Sequence, residues 1–112
     1  MERVVERFLR YVTYDTQSSM ETKTTPSSPG QLLLGEALKK ELEEIGMQDV
    51  SMDQNGYIMA TLPSNMDVQV PTIGFIAHMD TALDASGKDV NPQIVSNYDG
   101  GDIVLKNGLV LS

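Results

Sequence analysis

The spacing of apolar side chains predicts a short helix over residues 2–12, followed by a long loop. Five apolar positions recur at helical spacing and would share one face of this helix. They are Val4, Val5, Phe8, Leu9 and Val12. Residues 14–29 carry eight serines or threonines and two prolines without any apolar period, so they predict a loop.

A second helix is predicted from Pro29, with Gly46 as its stop. Ser28 is placed to cap the helix, and Gln31 three residues later would complete a capping box. The stripe expected to be buried is Leu34, Leu38, Leu42 and Ile45. The acidic residues expected on the solvated face are Glu41, Glu43 and Glu44.

Short apolar runs further along predict β-strands. Residues 49–53 and 57–62 flank an Asn-Gly pair and predict a hairpin. Residues 73–77 are apolar on both faces, which predicts a central strand buried between two layers. Weaker strand candidates, residues 94–96 and 103–105, flank a turn at 99–102. This order of elements predicts an α/β fold with a layered sheet of mixed direction.

Charge and composition exclude several functions. The 8 basic and 16 acidic residues give a net charge of −8, and the basic residues are scattered, so no nucleic-acid or anionic-membrane partner is expected. No cysteine is present, which removes disulfides and thiolate zinc sites. No apolar run approaches the roughly 20 residues that span a bilayer. A cytoplasmic location is expected.

The candidate chemistry lies at His78-Met79-Asp80, directly after residues 73–77. Side chains two apart on extended backbone share a face, so His78 and Asp80 are expected to converge. A metal-bound imidazole usually donates its other N–H to a carboxylate, which fits His78 as a metal ligand and Asp80 as the group orienting it. The spacing leaves a second interpretation open, in which the chain's single histidine is a polar residue satisfied by a turn. A serine hydrolase is not supported, because Ser18 and the neighbouring serines lack a base at a recognisable distance.

Residues 71–82, which contain His78-Met79-Asp80-Thr81, resemble the first metal motif of the peptidase T family. These are tripeptide aminopeptidases among the co-catalytic zinc exopeptidases. Further segments resemble the same family in the same order: residues 11–18, 26–31, 53–57, 91–95 and 97–103. The Asn-Tyr-Asp-Gly-Gly-Asp sequence at 97–102 points most narrowly to peptidase T.

The resemblance implies that His78 is a ligand to one zinc of a two-zinc centre, and that Asp80 is the orienting carboxylate, described in the family as catalytic. It implies that residues 1–112 are the N-terminal part of a zinc peptidase catalytic domain whose complete form releases the N-terminal residue of tripeptides. The general-base glutamate, the other metal ligands and the dimerisation or lid domain would lie downstream. The apolar run at residues 108–112 is consistent with a sequence cut within the fold.

Since a catalytic zinc needs about three protein ligands, the segment alone is expected to be inactive and to bind zinc poorly. Strand edges left without neighbours predict self-association. Two alternatives remain open. The protein could be another amidohydrolase of the same family, a dipeptidase or an acyl-amino-acid hydrolase, or a non-catalytic fragment that acts as an interaction module.

Overall fold

The computed structural model describes residues 3–112 and combines helices with short strands. In chain order the elements are α1 (Arg3–Tyr11), α2 (Pro29–Glu44), β1 (Gln48–Met52), β2 (Ile58–Thr61), β3 (Ile103–Val104) and β4 (Val110–Leu111). The mixture of helix and strand agrees with the predicted α/β class. The start of the predicted first helix, Glu2, lies outside the described residues.

Helix α2 begins at Pro29 and ends before Gly46, as the sequence predicts, but its N-terminal cap differs from the prediction. Gly46 has a φ of +90°, and the amides of Gly46 and Met47 bond to carbonyls of the last turn, the pattern of a Schellman motif. Ser28 occupies the N-cap position, yet its side chain makes no capping hydrogen bond, so the predicted cap is wrong. Gln31 turns back instead, and its Oε1 accepts from the Ser27 N–H at 3.2 Å. The loop before the helix, rather than the helix terminus, therefore receives its side chain.

The core lies where α2 packs on the β1–β2 hairpin. Leu34 is its buried apolar side chain, 6% exposed. At Gly35 an added Cβ would lie 2.9 Å from Met52 Cε, so the absence of a side chain lets the helix approach the hairpin closely. Ile45, predicted to belong to the buried stripe, is exposed because it already lies in the C-cap, beyond the helical face.

The hairpin agrees closely with its prediction. Strands β1 and β2 pair antiparallel, with Met52 opposite Ile58. In the turn, the side chain of Asp53 accepts from the amides of Asn55 and Tyr57, each at 2.9 Å. Gly56 has a φ of +84°, a conformation that glycine adopts without steric cost.

Helix α1 is attached to α2 through one carboxylate. Glu41 accepts hydrogen bonds from Arg7, Arg10 and Tyr11, the last at 2.6 Å, and its side chain is 13% exposed. Burial opposes ionisation, but the hydrogen bonds from Tyr11 and the two arginines outweigh it, so the pKa of Glu41 is lowered. The prediction that Glu41 belongs to the solvated face is therefore wrong.

The predicted central strand is also wrong. Residues 73–77 form no strand, and Phe75 and Ile76 are 95% and 101% exposed. A strand buried on both faces needs neighbours and a covering layer, and residues 3–112 supply neither. Residues 94–96 form no strand, and β3 pairs instead with β4, antiparallel, through a turn at Leu105 to Leu109. The sheets are two separate pairs, so the predicted layered sheet does not form within the described part of the chain.

None of the helices seen between Arg3 and Ser112 has the length and apolar character needed to cross a membrane.

Candidate functional site

The site is built where a short loop segment, residues 16–18, runs beside residues 80–85. The backbones form a parallel bridge in which the Thr81 amide donates to the Thr16 carbonyl at 3.2 Å. The Ser18 amide donates to the Thr81 carbonyl at 3.0 Å. We call residues 80–85 the site segment. Residues 16–18 are called the strap, because they connect the site segment to the rest of the fold.

The N-terminus of α2 fixes the strap. Thr16 is buried, and its carbonyl accepts from Gln31 Nε2 at 3.2 Å. An added Cβ at Gly30 would lie 1.6 Å from the Asp15 carbonyl oxygen, so the backbone passes over the helix start at a distance only glycine permits. The strap is thus held by the part of the molecule that contains the core.

The Gln17 side chain extends the contact along the site segment. Its Nε2 lies 3.0 Å from the Ala85 carbonyl oxygen, and 3.3 and 3.4 Å from those of Leu83 and Ala82. A side-chain amide has two N–H donors, so it serves two of these three carbonyls at a time, with Ala85 the nearest. Three carbonyl groups of the loop at residues 82–85 therefore point toward the side-chain amide of Gln17.

His78 and Asp80 come together as their spacing predicts. His78 Nδ1 lies 3.0 Å from Asp80 Oδ1 and 2.8 Å from the Asp80 carbonyl oxygen. Both neighbours are acceptors, so the neutral imidazole that satisfies them carries its proton on Nδ1 and a lone pair on Nε2. The side chain is 84% exposed, which leaves Nε2 open to an incoming ligand.

The Asp80 carboxylate is bound at both oxygens. Its Oδ2 accepts from Ser18 Oγ at 2.6 Å, while Oδ1 faces His78. The hydrogen bond from Ser18 and then the one with His78 lower the pKa of Asp80, against a smaller opposing effect of burial. The group is therefore an ionised carboxylate at neutral pH, as a partner of an imidazole N–H should be.

These residues fit one ligand of a metal site and not a complete one. An imidazole with its lone pair on Nε2 and a carboxylate on Nδ1 is the arrangement usual for a metal-binding histidine. Across residues 3–112, however, no three His, Asp or Glu side chains are grouped so that they could hold a metal ion. The assignments of His78 as ligand and Asp80 as its orienting group stay predictions.

Ser18 is the site residue that sequence reasoning missed. The sequence places no recognisable base near Ser18, so it does not predict a nucleophile, and the contact of Ser18 with Asp80 spans 62 positions of sequence. The available signal was indirect, since residues 11–18 resemble the same family as the His78 segment. That likeness indicates a shared site without naming the atoms that meet.

Comparison with known proteins agrees with the motif. The chain is 62% identical over 108 residues to peptidase T of Vibrio parahaemolyticus and 62% identical over 111 residues to peptidase T of Parabacteroides distasonis. It is 60% identical over 108 residues to peptidase T of Bacillus subtilis. These alignments cover 96%, 97% and 96% of the chain.

The chain spans about a quarter of the length of these curated relatives, 26%, 27% and 26% in the same order. No protein-family model matches it. Over nearly its whole length, the chain is nonetheless similar to proteins named peptidase T.

Proposed function

We propose that this chain is the N-terminal part, residues 1–112, of the catalytic domain of a zinc-dependent tripeptide aminopeptidase located in the cytoplasm. The complete enzyme would release the N-terminal residue of tripeptides. The observation that carries the proposal is the His78–Asp80 pair, with Nδ1 bound to the carboxylate and Nε2 left open. It lies within a sequence 57–62% identical to proteins named peptidase T.

Within this proposal His78 Nε2 is a zinc ligand, and Asp80 acts through His78 by holding its tautomer and orientation. Zinc, when bound, would supply a Lewis acid for the peptide carbonyl. Short peptides are the proposed partners. The remaining ligands, the general base and the neighbours of residues 73–77 are assigned to the rest of the longer protein, where the layered α/β sheet would be completed.

The first experiment measures hydrolysis of tripeptides by the longer protein and by its variants. His78→Ala is expected to lower kcat/KM by more than 100-fold and to reduce bound zinc by about one equivalent, since a catalytic zinc has about three protein ligands and loses one. Asp80→Asn is expected to lower activity by about 10- to 100-fold, the usual cost of losing such an orienting group. Asp67→Asn, at an exposed carboxylate away from the site, is the control.

The choice of substrates decides between the proposal and its alternatives. Faster hydrolysis of dipeptides or of acyl-amino acids than of tripeptides would replace the tripeptidase assignment with another amidohydrolase. Absence of all three activities, with zinc not retained, would contradict a metallopeptidase and favour an interaction module.

The 112-residue chain by itself is proposed to be inactive, because one imidazole cannot hold zinc tightly. Calorimetric titration with zinc is expected to give no stoichiometric site of submicromolar Kd. Such a site, abolished by His78→Ala, would contradict this part of the proposal.

Self-association of the isolated chain is proposed as well, since large apolar side chains such as Phe75 and Ile76 are uncovered. Light scattering is expected to show dimers or larger species that diminish in a Phe75→Ser/Ile76→Ser double variant. A monomer at high concentration for both proteins would contradict it.

A further inference from the structure

We propose that Ser18 is a positioning residue for the His78–Asp80 pair: its hydroxyl fixes the Asp80 carboxylate so that the imidazole keeps its proton on Nδ1 and presents Nε2. The contact itself is a feature of this chain. Its consequence for catalysis rests on the proposed function.

The first argument is the geometry of the carboxylate. Oδ1 of Asp80 lies 3.0 Å from His78 Nδ1, and Oδ2 lies 2.6 Å from Ser18 Oγ. The Asp80 side chain is 49% exposed, so water competes for both oxygens and the side chain is not held by packing. The Ser18 hydroxyl is the described side chain that binds the oxygen facing away from His78.

The second argument is that Ser18 is itself immobilised. Its amide donates to the Thr81 carbonyl at 3.0 Å, one residue beyond Asp80. Backbone and side chain of Ser18 therefore bind consecutive residues of the site segment and close a small ring. The neighbouring serine differs, because Ser19 Oγ accepts from the amides of Glu21 and Thr22 within its own loop.

The third argument concerns what the ring transmits. The strap is anchored by Gln31 and by the Asp15–Gly30 approach at the start of α2. Through Ser18, the orientation of Asp80 is set by the region of the fold that contains the core. If the Asp80 carboxylate bound only His78, two residues away, its orientation would not be fixed relative to the rest of the fold.

The test uses the chain's single histidine, which gives one imidazole signal without assignment. Nitrogen-15 spectra recorded at about pH 8 report the ratio of Nδ1–H to Nε2–H tautomers of the neutral imidazole. The Nδ1–H form is expected to dominate. Ser18→Val is expected to lower the ratio at least fivefold, about the net effect of one typical hydrogen bond.

The side chain introduced by Ser18→Thr has nearly the same shape as the one introduced by Ser18→Val, but it keeps the hydroxyl. This variant is therefore expected to retain the tautomer ratio of the original chain. Ser64→Ala removes an exposed serine hydroxyl elsewhere and is expected to change nothing. The Thr81 amide signal reports the backbone bridge, which uses no Ser18 side-chain atom and is expected to persist in every variant.

Equal tautomer ratios in the valine and threonine variants would overturn the proposal. Loss of the Thr81 signal in the valine variant alone would also overturn it. The Ser18 hydroxyl would then be needed for the backbone bridge itself and not specifically for the orientation of the His78–Asp80 pair. If both variants lose the Thr81 signal, the tautomer ratio of Ser18→Ala is compared with that of the original chain. This comparison removes the hydroxyl without introducing a branched side chain.

The longer protein separates this inference from the proposed function. There Ser18→Val is expected to lower kcat about tenfold with KM nearly unchanged, in the range usual for groups that orient a metal ligand. A tautomer shift without any peptidase activity in the parent protein would sink the proposed function and leave the positioning role intact. Full activity of the valine variant would remove the positioning role and leave the function standing.

Discussion

Residues 3–61 and residues 62–112 differ in whether each element finds its partner within the chain. In the first region α2 covers the β1–β2 hairpin, α1 is bound through Glu41, and the loop between the helices is held by Gln31. Among residues 3–112, every buried residue belongs to this region: Thr16, Gln31, Leu34, Gly35 and Gly56. In the second region no residue is buried.

The overall dimensions reflect this difference. The radius of gyration is 17.7 Å. A compact domain of this length would have about 13 Å. The excess comes from a second region whose apolar residues lie open and whose longest strands have two residues. An apolar pattern indicates that a segment requires a covering layer. The comparison shows that residues 3–61 find this cover within the chain and residues 62–112 do not.

The largest difference between the regions is expected from two matched glycine substitutions. Gly30→Ala should cost about 3 kcal/mol or more, because the new Cβ meets the Asp15 carbonyl and the backbone must shift. Gly74→Ala, with nothing within 4 Å of the new atom, should change stability by less than about 0.5 kcal/mol. Urea unfolding followed by helical circular dichroism measures both. Equal effects would erase the distinction.

A pair of apolar truncations is expected to follow the same order. Leu34→Ala should cost about 2–4 kcal/mol, since a cavity opens beside the hairpin. Phe75→Ala removes a larger side chain but should cost less than about 0.5 kcal/mol, because that side chain already faces water. A Phe75 cost close to that of Leu34, measured by the same unfolding experiment, would show that residues 73–77 are covered.

A smaller effect is expected at the junction of the two helices. Glu41→Gln should cost about 1–2 kcal/mol, since two arginines and a tyrosine lose their charged acceptor. Glu43→Gln on the exposed side of α2 is the control. Amide exchange should speed up in α1 for the first variant only, and unchanged α1 exchange would contradict the role given to Glu41.

Acidification should weaken the same junction gradually. The pKa of Glu41 is lowered in the fold, so the unfolded chain takes up the proton more readily. Stability from this group is therefore complete above the ordinary carboxyl pKa of about 4.3 and is lost as pH falls through the lowered value. The stability difference between the parent chain and Glu41→Gln should shrink over that range. A difference independent of pH would contradict the assignment.

The sequence predicts those features that depend on neighbours close along the chain. The stop at Gly46, the hairpin turn at Gly56 and the His78–Asp80 contact all involve groups a few residues apart. Local spacing determines such contacts through backbone geometry.

The features that escaped prediction depend on distant groups. Glu41 looked solvated because its partners lie about 30 residues earlier in α1. Ser18 looked idle because Asp80 lies 62 residues away. The apolar pattern of residues 73–77 predicts burial, but such a pattern cannot tell whether a covering layer is present. Each depends on the tertiary arrangement of α1, the strap or the sheet.

The central claim concerns the packing partners of the two regions. Residues 3–61 find their partners within the chain and fold around them, whereas the site segment is held by the strap and lacks most of its packing partners. Residue-resolved amide hydrogen exchange of the 112-residue chain tests it directly. The amides of α2 and of the β1–β2 hairpin should be the most protected, because local stability follows burial and hydrogen bonding. In residues 73–85 protection should be confined to Thr81, whose amide donates to the strap. Uniform protection from residue 62 to residue 112, equal to that of α2, would contradict the claim.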